Sequence, residues 1–205
     1  MIPGVTIAIP GIAKRGPLIT RAVASVMRQT EPVAAIVTVI DRERKGASWN
    51  RNRAIAMVDT EWTGFLDDDD VLYPWHCERL LELAGRTGAG LVHGWYDVSG
   101  GHDPMPENRG RVYSEADPFT VPITYLVRTE VLHQAVAETG GFQDDPELTG
   151  SWNVQDEPLF AACVRLGGIA VTPDATWLWH HHGANTSGLS ISNLERHERG
   201  ELVPQ

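Results

Sequence analysis

Apolar positions along this chain follow two alternating spacings. Val5-Thr6-Ile7-Ala8-Ile9-Pro10 is a β-branched run stopped by Pro10-Gly11, the mark of a buried strand. Pro17 opens a segment in which Ile19, Ala22, Val23 and Val26 recur at helical spacing as far as Gln29-Thr30. Beyond Pro32, the run Ala35 to Ile40 reads as a second buried strand that ends at Asp41. Strand, helix and strand with short links predict a βαβ unit, with parallel strands and a right-handed crossover. Ser48 is expected to cap a helix through Arg51, Ala54, Ile55 and Val58. Trp62 to Leu66 is a third strand. Pro74 is expected to start a helix carrying Cys77, Leu80, Leu81 and Ala84 on one face, and Leu91 to Trp95 forms a fourth strand.

The second half is less regular. Residues 99–122 are rich in Gly, Pro and polar side chains and predict loops with one or two short strands. Ile123 to Val127 reads as a strand and Thr129 to Glu138 as a helix closed by Gly140-Gly141. A polar loop follows from Phe142 to Asn153. Gln155 to Leu166 places Leu159, Ala162, Cys163 and Leu166 at helical spacing, and Ile169 to Val171 and Thr176 to Trp179 read as two short strands. From Ser190 the chain is polar and aperiodic. The expectation is one α/β domain over 1–189 and a loosely ordered tail over 190–205.

Composition narrows the function. A formal net charge of −10 with no basic stripe argues against nucleic acid as a partner. Cys77 and Cys163 lie far apart in apolar helical patterns, which suits reduced core thiols and a cytoplasmic setting. No apolar run approaches the roughly 20 residues of an integral membrane segment, and no secretory signal pattern opens the chain.

The chemistry concentrates at Asp67-Asp68-Asp69-Asp70, directly after the third strand. Four adjacent carboxylates repel one another unless they are solvated or neutralised. An apolar strand ending in Asp is the usual layout of a site at the carboxyl end of a sheet, and hard oxygen donors there suit Mg²⁺ or Mn²⁺ holding a phosphate. The plainer alternative is a solvated acidic turn in which Asp68 or Asp70 caps the next helix. The run His180-His181-His182 precedes a donor-rich loop. Alternate side chains of an extended strand point to opposite faces, so only one or two of the three can share a site. One or two of them could hold a metal or phosphate oxygens, with His182 the first candidate and His180 the second. Trp49, Trp95 and Trp152 lie in or near the candidate site loops and could stack on a ligand ring, although packing is the commoner role of a tryptophan.

Several segments, in order, resemble family 2 glycosyltransferases of the GT-A fold. Phe65 to Pro74 is similar to the family's "fLDxDDxxxP" segment, and Asn50-Arg51-Asn52-Arg53-Ala54 to its "ARNxG" helix start. Val23 to Thr30 resembles "aixSvxxQt". Gly140-Gly141-Phe142 followed by Gln155-Asp156-Glu157-Pro158-Leu159 resembles "GgF…EDxxL". The resemblance spans about residues 4–187 and implies a Rossmann-like, mostly parallel central sheet flanked by helices. It implies transfer of one sugar, with inversion, from a nucleotide diphosphate sugar, first of all a UDP-sugar. The acceptor hydroxyl would belong to a saccharide, a lipid carrier or a protein. By the same resemblance Asp69 binds Mn²⁺ or Mg²⁺ most directly, with Asp67 in the metal shell or near the ribose and Asp68 beside the donor. Pro10 and Asp41 end the strands that frame the nucleotide, and Arg51 lies near it. Asp156 is the acceptor's base, or Glu157 if the register shifts by one. The chain departs from the family where Gly11-Ile12-Ala13 and Arg42-Glu43-Arg44 replace its usual nucleotide loops and Gln155 replaces a Glu. These departures keep two alternatives in view: a non-catalytic nucleotide-sugar or glycan-binding domain on the same scaffold, and a metal-dependent phosphohydrolase.

Overall fold

The computed structural model describes residues 1–43, 45–103, 105–114, 116–117, 119, 122–143 and 156–182. The elements run β1 (Ile2–Ile12), α1 (Gly16–Val26), β2 (Ala35–Asp41), α2 (Ala47–Ile55), β3 (Thr60–Phe65), β4 (Val71–Leu72) and α3 (His76–Thr87). They continue with β5 (Leu91–Ser99), β6 (Tyr125–Arg128), α4 (Thr129–Thr139), α5 (Glu157–Gly167) and β7 (Ile169–His180). The strands form one sheet in the order β2-β1-β3-β6-β5-β7-β4. The pairs β1–β2, β1–β3 and β5–β7 are parallel and carry most of the ladder, while β6 and the two-residue β4 pair antiparallel. The expected βαβ unit and the mostly parallel sheet are thus present.

Side-chain alternation divides the core into two layers. Val5, Ile7 and Ile9 of β1 pack with Ala22 and Val26 of α1 and with Cys77, Leu80 and Leu83 of α3. Ala8 of the same strand faces the opposite layer, with Ala54 and Ile55 of α2, Leu132 of α4, and Leu159 and Cys163 of α5. Leu80, Leu132 and Leu159 are fully buried, and each contributes about 1.5–3 kcal/mol by leaving water. Both thiols are free and buried, and burial pushes each up to about 12.

Three sequence expectations are corrected. Ser48 does not cap α2: Gly46 holds that position, and Ser48 lies inside the first turn, buried, with its hydroxyl unpartnered. Helix α3 begins at His76, two residues after Pro74, with Trp75 before it and no side-chain cap, so neither Asp68 nor Asp70 caps it. The two short strands expected near the end are one, β7. A bulge absorbs Thr172-Pro173-Asp174, because pairing moves from His93–Val171 to Trp95–Ala175. The Thr172 hydroxyl donates to Asp174 and accepts its N–H, pinning that kink. Over the middle section, the described residues form a short 3-10 turn, Pro106–Asn108, and an isolated bridge between Ser114 and Asp117. The expected tail lies outside the described residues.

Candidate active site

The site begins where β1 outruns β3. On the β3 side of β1, Ala8 O accepts the N–H of Leu66 just as β3 ends. Pro10, next on that side, has no N–H to leave unpaired. Ile12 follows, and its N–H donates to Asp68 Oδ2 at 3.1 Å. A carboxylate thus continues the ladder where the strand has stopped, which draws the acidic run against the carboxyl end of β1. On the other edge Pro10 pairs with Val39 and Ile12 with Asp41.

Each of the four aspartates is partnered, and one arginine serves two of them. Arg15, in the single turn between β1 and α1, reaches Asp68 Oδ1 at 2.8 Å and Asp69 Oδ2 at 3.0 Å through the same nitrogen, Nη1. Arg21 of α1 donates to the backbone carbonyl of Asp69. Arg51 of α2 holds Asp67 Oδ1 at 2.9 Å. Asp70 accepts the backbone N–H of His180 at 2.9 Å. Asp68 and Asp70 are each only 4 % exposed. The cluster is therefore not a solvated turn: it is buried and neutralised largely by arginines. What they leave unbalanced shows in acidity. Burial and the charge of Asp67 lift Asp69 above the ordinary carboxyl range, against the pull of Arg15. Burial and the charge of Asp69 lift Asp70 well above it.

Arg51 joins this cluster to α5. Its Nη1 donates to Asp156 Oδ1 at 3.2 Å while Nη2 holds Asp67. Burial opposes its charge, but Asp156 and Asp67 outweigh that and hold its pKa above the ordinary value. Its neighbours on α2 fix the surroundings. Asn50 donates to Gly11 O at 3.1 Å. Asn52 grips Phe142 twice, donating to its carbonyl at 2.8 Å and accepting its N–H at 2.9 Å. That clamp requires glycine at 141, where φ is +86° and a Cβ would fall 2.3 Å from Asn52 Oδ1. Phe142 in turn lies under the Arg51 guanidinium, 5.5 Å from the ring centroid.

The histidines divide as alternation requires. His180 and His182 lie on one side with ring centroids 5.8 Å apart. His181 turns the other way, buried and stacked on Trp179. His182 Nε2 meets Asp69 Oδ2 at 3.1 Å. Burial, with Arg21 and His182 nearby, pushes His180 below the usual imidazole range. Among the described residues no three His, Cys, Asp or Glu side chains form a ready metal cage. The convergence of Asp69 Oδ2 with His182 Nε2 nonetheless provides an oxygen and a nitrogen donor in an electronegative pocket. Such a pair fits a cation that draws its remaining ligands from substrate phosphates.

Other sequence candidates stand differently. Asp41 accepts the N–H groups of Glu43 at 3.0 Å and Gly46 at 2.9 Å, so its carboxylate shapes the loop after β2. Asp156 faces the cluster, whereas Glu157 is exposed on the outer side of α5. Trp95 is a core residue packed edge-on against His93. Trp49 is half-buried between Lys45 and Arg53. Trp152, Gln155 and the loop after His182 lie outside the described residues. The sequence reading singled out neither Arg15, Arg21, Asn50 nor Asn52 as site residues. For Asn50 and Asn52 the signal is their place beside Arg51 in the segment that resembles "ARNxG", and for Arg15 it is the basic pair Lys14-Arg15 after β1.

Comparison with known proteins bears on the fold and the family. The sequence model of "Glycosyl transferase family 2" matches residues 20–132. The succinoglycan biosynthesis protein ExoO of Rhizobium meliloti (strain 1021) is 25% identical over 172 residues, 76% of this chain and 48% of that protein. The chain thus spans about half the length of this curated relative. Among solved structures, residues 1–349 of S. aureus TarS in complex with UDP-GlcNAc superpose with a TM-score of 0.72 at 15% identity, covering 92% of this chain and 60% of that one. The mannosyltransferase PcManGT from Pyrobaculum calidifontis, in complex with GDP-Man and Mn2+, gives 0.60 at 15% identity over 87% of this chain and 57% of that one. The structural likenesses share the fold, and the sequence match extends over more than half of the residues: the chain belongs to glycosyl transferase family 2.

Proposed function

We propose that this chain transfers one sugar from a nucleoside diphosphate sugar to an acceptor hydroxyl, with inversion at the anomeric carbon. The observation that carries the reading is Arg51, one buried guanidinium bridging Asp67 of the strand-end cluster and Asp156 of α5. It brings two carboxylates to one guanidinium beside the carboxyl end of β3, the end of the strands where doubly wound sheets take their ligands. Asp156 serves as general base. Its carboxylate takes the acceptor's proton as the hydroxyl oxygen attacks the anomeric carbon, and the bond to the diphosphate breaks with its electron pair on the departing oxygen. Arg51 orients Asp156 through Oδ1 for that transfer.

Asp69 and His182, with Asp67 beside them, would hold Mn²⁺ or Mg²⁺. A divalent cation bound there supplies Lewis-acid neutralisation of the leaving diphosphate. Pro10 and Asp41, at the carboxyl ends of β1 and β2, would face the base and ribose, next to Asp68, which accepts the Ile12 N–H. The donor is a UDP-sugar first and a GDP-sugar second, following the ligands of the two structural neighbours. The succinoglycan relative favours a saccharide acceptor over a lipid carrier or a protein. The buried, unpaired thiols suit the reducing cytoplasm. No helix among the described residues is long and apolar enough to cross a membrane.

Thermal unfolding against a panel of nucleoside diphosphates, with and without Mn²⁺, tests the donor site. At about 100 times its dissociation constant a ligand adds about 2.7 kcal/mol. The shift should appear with one base, require Mn²⁺ and vanish in Asp69→Ala. Asp156→Asn should keep the shift and lose sugar transfer. If Asp156→Asn keeps full transfer, the assignment of the base is wrong. If no nucleotide shifts the midpoint, the donor site is wrong.

A further inference from the structure

A chain of aromatic rings runs from Arg51 to Asp156. The Arg51 guanidinium lies over Phe142, and Phe142 meets Phe65 edge-on at 5.5 Å. Tyr125 comes next, 5.9 Å from Phe65 and 5.6 Å from Phe160, edge-on to both. Phe160 sits one turn into α5, and its N–H donates to the carbonyl of Asp156 at 2.9 Å. Tyr125 opens β6 at the carboxyl end of β3, where its neighbour Leu126 pairs with Gly64. It is thus packed between the end of β3 and the turn of helix that carries Asp156. It is 1% exposed, and its hydroxyl has no hydrogen-bond partner. The buried Nε–H of Arg51 has none either.

An unpartnered hydroxyl at this depth costs stability, and phenylalanine would fill the same ring site. The hydroxyl, not the ring, is what needs a role. Burial first, then the nearby Cys163 and Asp156 side chains, hold its pKa well above the usual phenol range, against the pull of Arg51. It therefore keeps its proton and is a donor in search of an acceptor. Of those three side chains, a guanidinium has no lone pair to offer and a thiol accepts weakly, which leaves the carboxylate. We propose that Tyr125 is a positioning residue for the general base: its hydroxyl donates to the Asp156 carboxylate while that carboxylate takes the acceptor's proton. The phenol gives up no proton of its own. With Arg51 it holds the carboxylate from two elements, β6 and α2, so that the reacting oxygen faces the acceptor. No such bond is made in the structure itself, and catalytic hydrogen bonds often close only as substrate engages. The inference rests on the reading of Asp156 as base and adds a further group that acts on it.

The test is Tyr125→Phe in the full chain, with Mn²⁺ and a panel of UDP- and GDP-sugars, following release of the nucleoside diphosphate with water as acceptor. The variant loses only a hydroxyl that has no partner, so its urea-unfolding midpoint should match or exceed that of wild type. Its kcat should fall about tenfold while KM for the donor stays within about twofold, because a hydrogen bond to a charged group is lost from the transition state and no donor contact is lost with it. A variant with wild-type kcat overturns the proposal. So does one whose loss of kcat comes with a lower unfolding midpoint or a raised KM, which is what a packing role alone would give. Asp156→Asn in the same assay separates the two readings. If it keeps full turnover, Asp156 is not the base and the role of Tyr125 falls with it. If it loses turnover while Tyr125→Phe keeps it, the base stands and the positioning role alone is removed. Wild type that releases nothing from any donor in the panel removes the transfer reading and both roles.

Discussion

Replacing Arg51 by methionine keeps the stem and removes the charge from between Asp67 and Asp156. Arg51 is 8 % exposed, and its two ion pairs are 2.9 Å and 3.2 Å long. Removing one partner of a fully buried pair costs about 3–5 kcal/mol, while exposed pairs are worth about 0–1. Here the arginine is buried, but the side chains of Asp67 and Asp156 keep 30% and 24% of their exposure, so water relieves part of the loss. The expected cost lies between those limits, about 2 kcal/mol. For a domain of this size that lowers the unfolding midpoint by about 4–8 °C. Arg51→Lys should fall between the two, because a single ammonium cannot fork across both carboxylates. Urea unfolding at fixed pH measures the cost directly, and turnover measured on the folded variant should fall further than stability does. An Arg51→Met chain within about 0.5 kcal/mol of wild type, the scatter of ordinary surface changes, would show that the bridge carries no energy. The reasoning from burial would then fail.

Two further outcomes follow from the same packing. Burial holds His76 down at about 3 and His93 at about 4, against 6.5 in the unfolded chain. Between those values and 6.5 the unfolded chain binds protons that the folded chain refuses. Stability from this source is therefore complete above pH 6.5 and is lost as pH falls. Each histidine should cost about 2 kcal/mol by pH 5. His76→Gln with His93→Gln should flatten the slope of unfolding energy against pH, and a double variant with the wild-type slope refutes the assignment. Gly141→Ala places a Cβ 2.3 Å from Asn52 Oδ1 at a φ of +86°. It should cost about 1–3 kcal/mol and reduce turnover more than nucleotide affinity, measured by calorimetry beside a transfer assay. Wild-type values for both would show that the clamp on Phe142 does not position the site.

Most of the scaffold was legible because it is local. Ile19, Ala22 and Val26, or Cys77, Leu80 and Ala84, announce a helix by their own spacing, and β-branched runs announce β1 and β2. The misses have physical reasons. Strand β4 is two residues long and exists only because Val71 and Leu72 pair with β7. The kink at Thr172-Pro173-Asp174 hides the continuity of β7, which becomes visible only when β5 is laid beside it. Within the site, the carboxylates stood out because they are adjacent in sequence. Of their partners, the family resemblance names Arg51, with Asp156 105 residues away, whereas nothing local names Arg15 and Arg21, about fifty residues from the cluster. No local pattern distinguishes an arginine that folds back onto an acidic strand end from one that faces water.

That difference explains why four consecutive aspartates can be buried at all. The sequence poses a problem of repulsion, and the fold answers it residue by residue. Asp67 is held by Arg51, Asp68 by Arg15 and the Ile12 amide, Asp69 by Arg15 and His182, and Asp70 by the His180 amide. Adding Asp156 brings five carboxylates, among the described residues, around the guanidiniums of Arg15, Arg21 and Arg51. Burial and mutual repulsion lift the pKa values of Asp69 and Asp70, so each holds its proton more tightly than an ordinary carboxyl.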